Sequence, residues 1–202
     1  IFANADGGKK TLIFESPLSE WLVSFADNKT IVLTTKPSAS AAGFSYFLNT
    51  GGGEIRKILG NIVGLTTLVS PDKKLVLYSE SSSGSFRTKI YDLAKNRSTD
   101  FGLQTLPEKC VWSRSEPAVI FCAVPKTIPS CNYPDCWYQG SVAFNDDIWK
   151  IDTATSETDR LISPESFAQK TLDIINPLLN ENESFLLFTN KTDLTLWVLD
   201  LR

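Results

Sequence analysis

The sequence predicts an all-β chain, a partial β-propeller built as an open arc of four-stranded antiparallel blades. Three observations predict it. Short apolar, β-rich runs centred on Val32, Val76 and Ile120 recur every 44 residues, and a fourth is centred on Leu186; that period is the length of one four-stranded blade. Four places before each centre stands a polar turn residue, Asn28, Asp72, Glu116 and Asn182, where a first strand must turn into a second. Each repeat then closes on an aromatic or β-branched run that ends on Asn49, Asp92, Asp152 or Asp200, as a third strand would.

Taken in order, Ile1–Asn4, the turn Ala5–Gly8 and Lys10–Phe14 read as the third and fourth strands of a preceding blade, a half blade over 1–16. Full blades follow over 17–60, 61–106 and 107–170, with fourth strands expected at Glu54–Leu59, Ser98–Phe101 and Thr158–Ile162. An incomplete blade of three strands occupies 171–202. Helical periodicity is weak, and the best helix candidate is the short run Pro164–Lys170 with Ser163 as its cap. Ring closure would need the N-terminus to supply one strand, yet it supplies two, so an open arc is expected. Its terminal blades would expose apolar faces that further propeller blades of the same full-length chain normally cover. The chain opens at Ile1 and contains no Met, which fits a processed or excerpted piece.

Composition excludes several functions. The 202 residues are 42% hydrophobic with a net charge of −3, and no basic stripe is present to neutralise phosphates, so nucleic acid is not an expected partner. The longest apolar run, Ala118–Val124, is too short to span a bilayer. With no His, a Ser-His-Asp or Cys-His nucleophile system cannot be assembled from these residues, and neither a nucleophile elbow nor a phosphate-binding loop followed by a helix occurs. Gly51-Gly52-Gly53 reads as a hairpin turn. Asn145-Asp146-Asp147 and Asp135 lack the acidic spacing of a calcium loop. The aspartates ending the third strands recur once per blade and are assigned to turn hydrogen bonding. No catalytic residue, metal site or cofactor is therefore expected.

The third blade breaks the period. It exceeds the others by 22 residues, and the excess lies within 125–143. All four cysteines belong to this blade. Cys110 and Cys122 flank the turn at Glu116 symmetrically, which sets them opposite each other on a hairpin, and Cys131 and Cys136 bracket a Pro-containing turn. The favoured pairing is Cys110–Cys122 and Cys131–Cys136; free buried thiols and a zinc site are the alternatives, the latter lacking paired C-x2-C knuckles. Disulfides imply an oxidising compartment.

Trp149 and Trp197 share one repeat position with Tyr46 and are expected to pack between blades. Tyr133, Trp137 and Tyr138 fall instead in the insertion, where a stapled aromatic loop either presents a ligand-binding surface or caps the core of its own blade.

The run Val69-Ser70-Pro71-Asp72-Lys73-Lys74-Leu75-Val76-Leu77-Tyr78 resembles the Ser-Pro-Asp signature of TolB-type, WD-like propeller repeats. The other three turns, Ala26-Asp27-Asn28-Lys29, Arg114-Ser115-Glu116-Pro117 and Asn180-Glu181-Asn182-Glu183, depart from it. Lys109-Cys110-Val111-Trp112, Cys122-Ala123-Val124-Pro125 and Trp137-Tyr138-Gln139-Gly140 are similar to segments of uncharacterised exported bacterial propeller proteins. That resemblance implies an extracytoplasmic location, in the periplasm or at the cell surface, and no known reaction. The expected function is a non-catalytic scaffold that binds a protein or a cell-envelope polysaccharide; the alternative is the propeller domain of a larger hydrolase, such as a prolyl-oligopeptidase-like peptidase, whose catalytic domain lies elsewhere.

Overall fold

In the computed structural model, which describes all of residues 1–202, fifteen strands form four antiparallel sheets. The first blade holds β1 (Trp21–Asp27), β2 (Thr30–Thr35), β3 (Ala42–Asn49) and β4 (Arg56–Val63). The second holds β5 (Thr66–Val69), β6 (Leu75–Ser82), β7 (Ser85–Asp92) and β8 (Arg97–Asp100). The third holds β9 (Cys110–Trp112), β10 (Val119–Pro125), β11 (Asp146–Asp152) and β12 (Glu157–Ile162). The fourth has three strands, β13 (Ile174–Leu179), β14 (Phe185–Asn190) and β15 (Leu196–Asp200). Spatial order equals chain order in every sheet. The sheets form an arc of four propeller blades that does not close.

The arc is held by apolar layers between successive blades. Val32, Phe47 and Ile58 of the first blade pack on Leu65, Val76 and Tyr78 of the second. Leu77 and Ile90 face the other way, onto Trp112, Ile120 and Cys122 of the third, and Ala123 and Ile148 pack on Ile174, Leu186 and Phe188 of the fourth. Adjacent residues of β6 thus serve opposite interfaces, because side chains alternate across a strand. That explains why the second strands of the first three blades read as unbroken apolar runs: they are buried on both faces, whereas β14 of the fourth alternates.

The turns show why the motif can drift without losing the fold. In the second blade the Ser70 hydroxyl accepts the Leu75 N–H at 3.0 Å and donates to Asp72 Oδ1 at 2.7 Å. In the fourth, Asn180 Oδ1 takes the Phe185 N–H at 2.9 Å, and Lys73 and Glu183 hold the same left-handed conformation, φ 57° and 55°. A short side-chain acceptor is what the turn needs, and Asn supplies it as well as Ser. At the ends of the third strands, Asn49 Oδ1 accepts the Gly51 N–H at 2.8 Å, Asp92 Oδ1 the Ala94 and Lys95 N–H groups at 3.0 Å, and Asp152 Oδ1 the Ala154 N–H at 2.8 Å. The recurring carboxylates are turn acceptors, and these backbone bonds help hold Asp92 below the usual carboxylate range. Gly64, between the first two blades, has φ 69°, and a Cβ there would lie 2.0 Å from Ser81 Oγ, so the crossing admits no larger residue.

Three details differ from the sequence reading. The N-terminal segment forms a single bridge, Phe2 to Thr11, in place of a strand pair, while Ile13 and Phe14 pack on the outer face of the first blade beside Ile31, Leu33 and Leu48. β4 runs on to Val63, beyond the expected Leu59. A helix, α2 (Pro164–Ala168), does form, but Ser163 makes no side-chain cap; the Ser166 hydroxyl donates to its carbonyl at 2.7 Å instead.

Leu77→Ala, at a fully buried interface position, is expected to lower unfolding stability by about 2–5 kcal/mol. Val198→Ser on the exposed face of β15 should change it by less than ~0.5 kcal/mol, with denaturant titration of both variants as the check.

Candidate binding surface: the capped face and the inner wall

The insertion connects β10 to β11, on the same face as the loops joining second to third strands in the other blades. It does not project. It folds back over that face and touches every blade. The Asp135 carboxylate accepts the Ala39 N–H of the first blade at 3.2 Å. The Cys131 N–H donates to Gly84 O of the second blade at 2.8 Å, where the Ser81 hydroxyl also donates to Tyr133 O. Lys191 of the fourth blade donates to Trp137 O at 2.7 Å. One helical turn, α1 (Asp135–Tyr138), sits at its centre.

Two disulfides are present, Cys110–Cys122 and Cys131–Cys136. The first joins residues placed directly opposite by the β9–β10 register; the second staples the segment leading into α1.

The structure divides the three aromatic candidates. Tyr133 and Trp137 are 1% and 2% exposed, packed with Phe86, Leu106 and Phe144 into the core of the cap. The Tyr133 ring meets Phe86 edge-on at 5.0 Å and stacks on Phe144 at 5.8 Å. Only Tyr138, at 38%, stands at the surface. Its hydroxyl donates to Glu108 Oε1, while Glu108 Oε2 is enclosed without a partner. Burial pushes the Glu108 carboxyl up despite this bond, and burial together with the neighbouring Glu108 pushes the Tyr138 phenol up.

Beneath the cap lies a buried ionic cluster that the sequence reading did not bring together. Lys109 is 0% exposed, and its ammonium reaches Asp173 Oδ1 at 2.6 Å, Asp146 Oδ2 at 2.7 Å and Ile174 O at 2.8 Å. The Trp137 indole N–H donates to Asp173 Oδ2 at 2.9 Å, and the Ile174 N–H to Asp146 Oδ2 at 2.7 Å. Burial pushes Asp146 up to about 6, against the lowering effect of Lys109. Local sequence did not pair these residues: Lys109 precedes a three-residue strand, Asp146 stands in the Asn145-Asp146-Asp147 run weighed only as a cation site, and Asp173 immediately precedes β13 with no motif around it.

The opposite end of the first strands is different in character. The innermost strands β1, β5 and β9 line a concave groove of about 580 Å³, with Phe25, Leu68, Val69, Val111 and Trp112 on its walls. Phe25 is 62% exposed there, although its neighbours are apolar. The Trp112 indole N–H donates across it to Leu68 O at 3.2 Å. At its rim, hydrogen bonds from Ser113 and Ser115 outweigh burial and hold the Glu183 carboxyl down to about 2, which locks the turns of the third and fourth blades together.

No protein-family model matches the chain, and no curated protein matches it. Solved structures do. A structure assigned to TolB from Agrobacterium tumefaciens superposes with a TM-score of 0.66 at 15% identity, covering 98% of this chain and 64% of that one. TolB from Acinetobacter baumannii gives 0.62 at 14% identity over 98% of this chain and 47% of that one. An oligogalacturonate lyase in complex with manganese gives 0.59 at 12% identity over 97% and 51%. The chain has the fold of TolB-type β-propeller proteins, and it spans less than two thirds of the length of these neighbours.

Lys109→Met would leave two carboxylates buried without a counter-ion and is expected to cost about 3–5 kcal/mol, read by thermal and denaturant unfolding. The Asp146 carboxyl, raised from 3.8 to about 6 on folding, binds more protons in the native state than in the unfolded chain across that window. Its contribution to stability is therefore full below 3.8 and lost as pH rises through about 6; the raised Glu108 acts in the same direction. Asp146→Asn should reduce this slope, measured as unfolding free energy against pH. The oxidised, denatured protein should take up no thiol-alkylating label, and four labels after reduction, one for each Cys; mass spectrometry decides it.

Proposed function

We propose that this protein is an extracytoplasmic binding scaffold that holds an extended segment of a protein partner along the inner wall of its blades. The observation that carries this reading is the exposure of Phe25 in an apolar groove built by three successive blades; an aromatic anchor beside apolar walls is the chemistry of a protein contact. Two disulfides favour an oxidising compartment, hence the periplasm or cell surface. No helix is long and apolar enough to cross a membrane. A cell-envelope polysaccharide is the second partner class, and it suits a polar cavity better than this groove.

An enzymatic role for the whole protein has one argument in its favour, since an oligogalacturonate lyase has a similar fold. The chain supplies no His, and fold alone does not carry chemistry. A hydrolase domain with a nucleophile elbow encoded in the same open reading frame would favour the alternative, a propeller that gates a catalytic domain.

Phe25→Glu should reduce retention of envelope proteins by the immobilised chain at least tenfold while leaving the thermal midpoint unchanged, because the side chain is mostly in water. Equal retention by variant and parent, measured by quantitative mass spectrometry of crosslinked complexes, would count against the inner wall as the contact surface.

A further inference from the structure

The cavity between α1 and the β2–β3 connection has about 590 Å³ and is lined by Glu20, Lys36, Ser38, Asp135, Tyr138 and Gln139. Its chemistry differs from that of the inner groove. Apart from Tyr138 and Pro37 its lining residues are polar or charged, and the two exposed charges, Lys36 and Glu20, satisfy each other at 2.8 Å. Such a site mixes apolar with polar surface, as an amphipathic ligand requires, and lacks the unpaired cation that an anion would seek.

The ring is held still. The Tyr138 hydroxyl is tied to the enclosed Glu108 carboxylate behind it. Its neighbour Trp137 is locked by the indole bond to Asp173, and Cys136 one turn position earlier is stapled to Cys131. A tyrosine fixed at its polar tip and exposed along its flank is a pre-organised flat surface with no rotamer entropy left to lose on binding. Around it stand a carboxylate (Asp135), an amide (Gln139) and a hydroxyl (Ser38), groups that together offer both acceptors and donors.

We propose that this cavity is a subsite for one neutral hexose ring of a glycan. The C–H face of the sugar lies against the Tyr138 ring, and its vicinal hydroxyls donate to the Asp135 carboxylate and the Gln139 carbonyl while the Gln139 amide donates back. The proposal extends the polysaccharide reading and does not rest on protein capture at the inner wall, with which the cavity shares no lining residue.

The test is a titration of the whole chain with cellotriose, chitotriose and tetralysine, followed by calorimetry and by Trp fluorescence, since Trp137 lies 5.6 Å from the Tyr138 ring. Saturable binding of at least one of the two neutral trisaccharides is expected, with a dissociation constant on the order of 1 mM. Tyr138→Ala and Gln139→Ala should weaken it at least about tenfold, whereas Tyr138→Phe, which keeps the ring but frees its tip, should bind between the parent and Tyr138→Ala, and Phe25→Glu should leave it untouched. Gln139 is exposed, so its variant decides the matter even if Tyr138→Ala fails to fold. Absence of trisaccharide binding, binding unchanged in Gln139→Ala, or binding of tetralysine in place of the sugars would overturn the proposal while leaving the inner-wall reading standing.

Discussion

The Lys109 ammonium is the contact on which the rest of the third and fourth blades depends. It donates to Asp173 and to the carbonyl of Ile174 and pairs with Asp146 Oδ2 at 2.7 Å, so a fully buried cation is surrounded by acceptors. The cluster joins the start of the first strand of one blade, the start of its third strand and the start of the next blade. Desolvating three charges is costly, and two carboxylates against one ammonium leave a net negative charge. Burial raises Asp146, with the Asp173 charge adding a smaller push in the same direction, and its Oδ1, which has no partner, adds to the cost. Such an arrangement tolerates no loose fit. It ties the angle between two blades to the position of one side chain.

The cap inherits its position from this cluster. Trp137 donates its indole N–H into Asp173, and Lys109 and Lys191 approach the Trp137 ring face at 5.2 and 5.0 Å. The insertion is thereby anchored at its centre and hydrogen-bonded at its margins to all four blades. A segment that sequence length alone makes a long loop behaves as a packed element, with its own aromatic core and its own disulfide. Its surface is consequently rigid, and Tyr138 is presented from a fixed base.

The two ends of the first strands have separate characters for a simple reason. At the capped end the insertion supplies polar groups and covers apolar surface. At the other end the blades meet only through short turns, and the apolar inner edges of β1 and β5 stay open, with Phe25 in solvent. The outer face of the fourth blade is open too: Leu178, Leu196 and Val198 are exposed, as a blade face is when no neighbour packs on it, whereas Ile13 and Phe14 cover the outer face of the first.

Much of this architecture was legible in the sequence. Short apolar runs, the 44-residue repeat and the short polar turns are local properties, and each repeat states them again, so the blade order and the ends of the third strands at Asn49, Asp92, Asp152 and Asp200 could be read directly. The Cys110–Cys122 pairing was legible because a hairpin turn makes symmetry about Glu116 a statement about space. What sequence could not decide was which of Tyr133, Trp137 and Tyr138 faces solvent, since an insertion has no repeat to set its register, and its packing comes from residues as distant as Phe86 and Asp173. The partnership of Lys109 with Asp146 and Asp173 was equally hidden. Charges far apart along the chain become a pair only when the angle between blades brings them together, and that angle is set by tertiary packing.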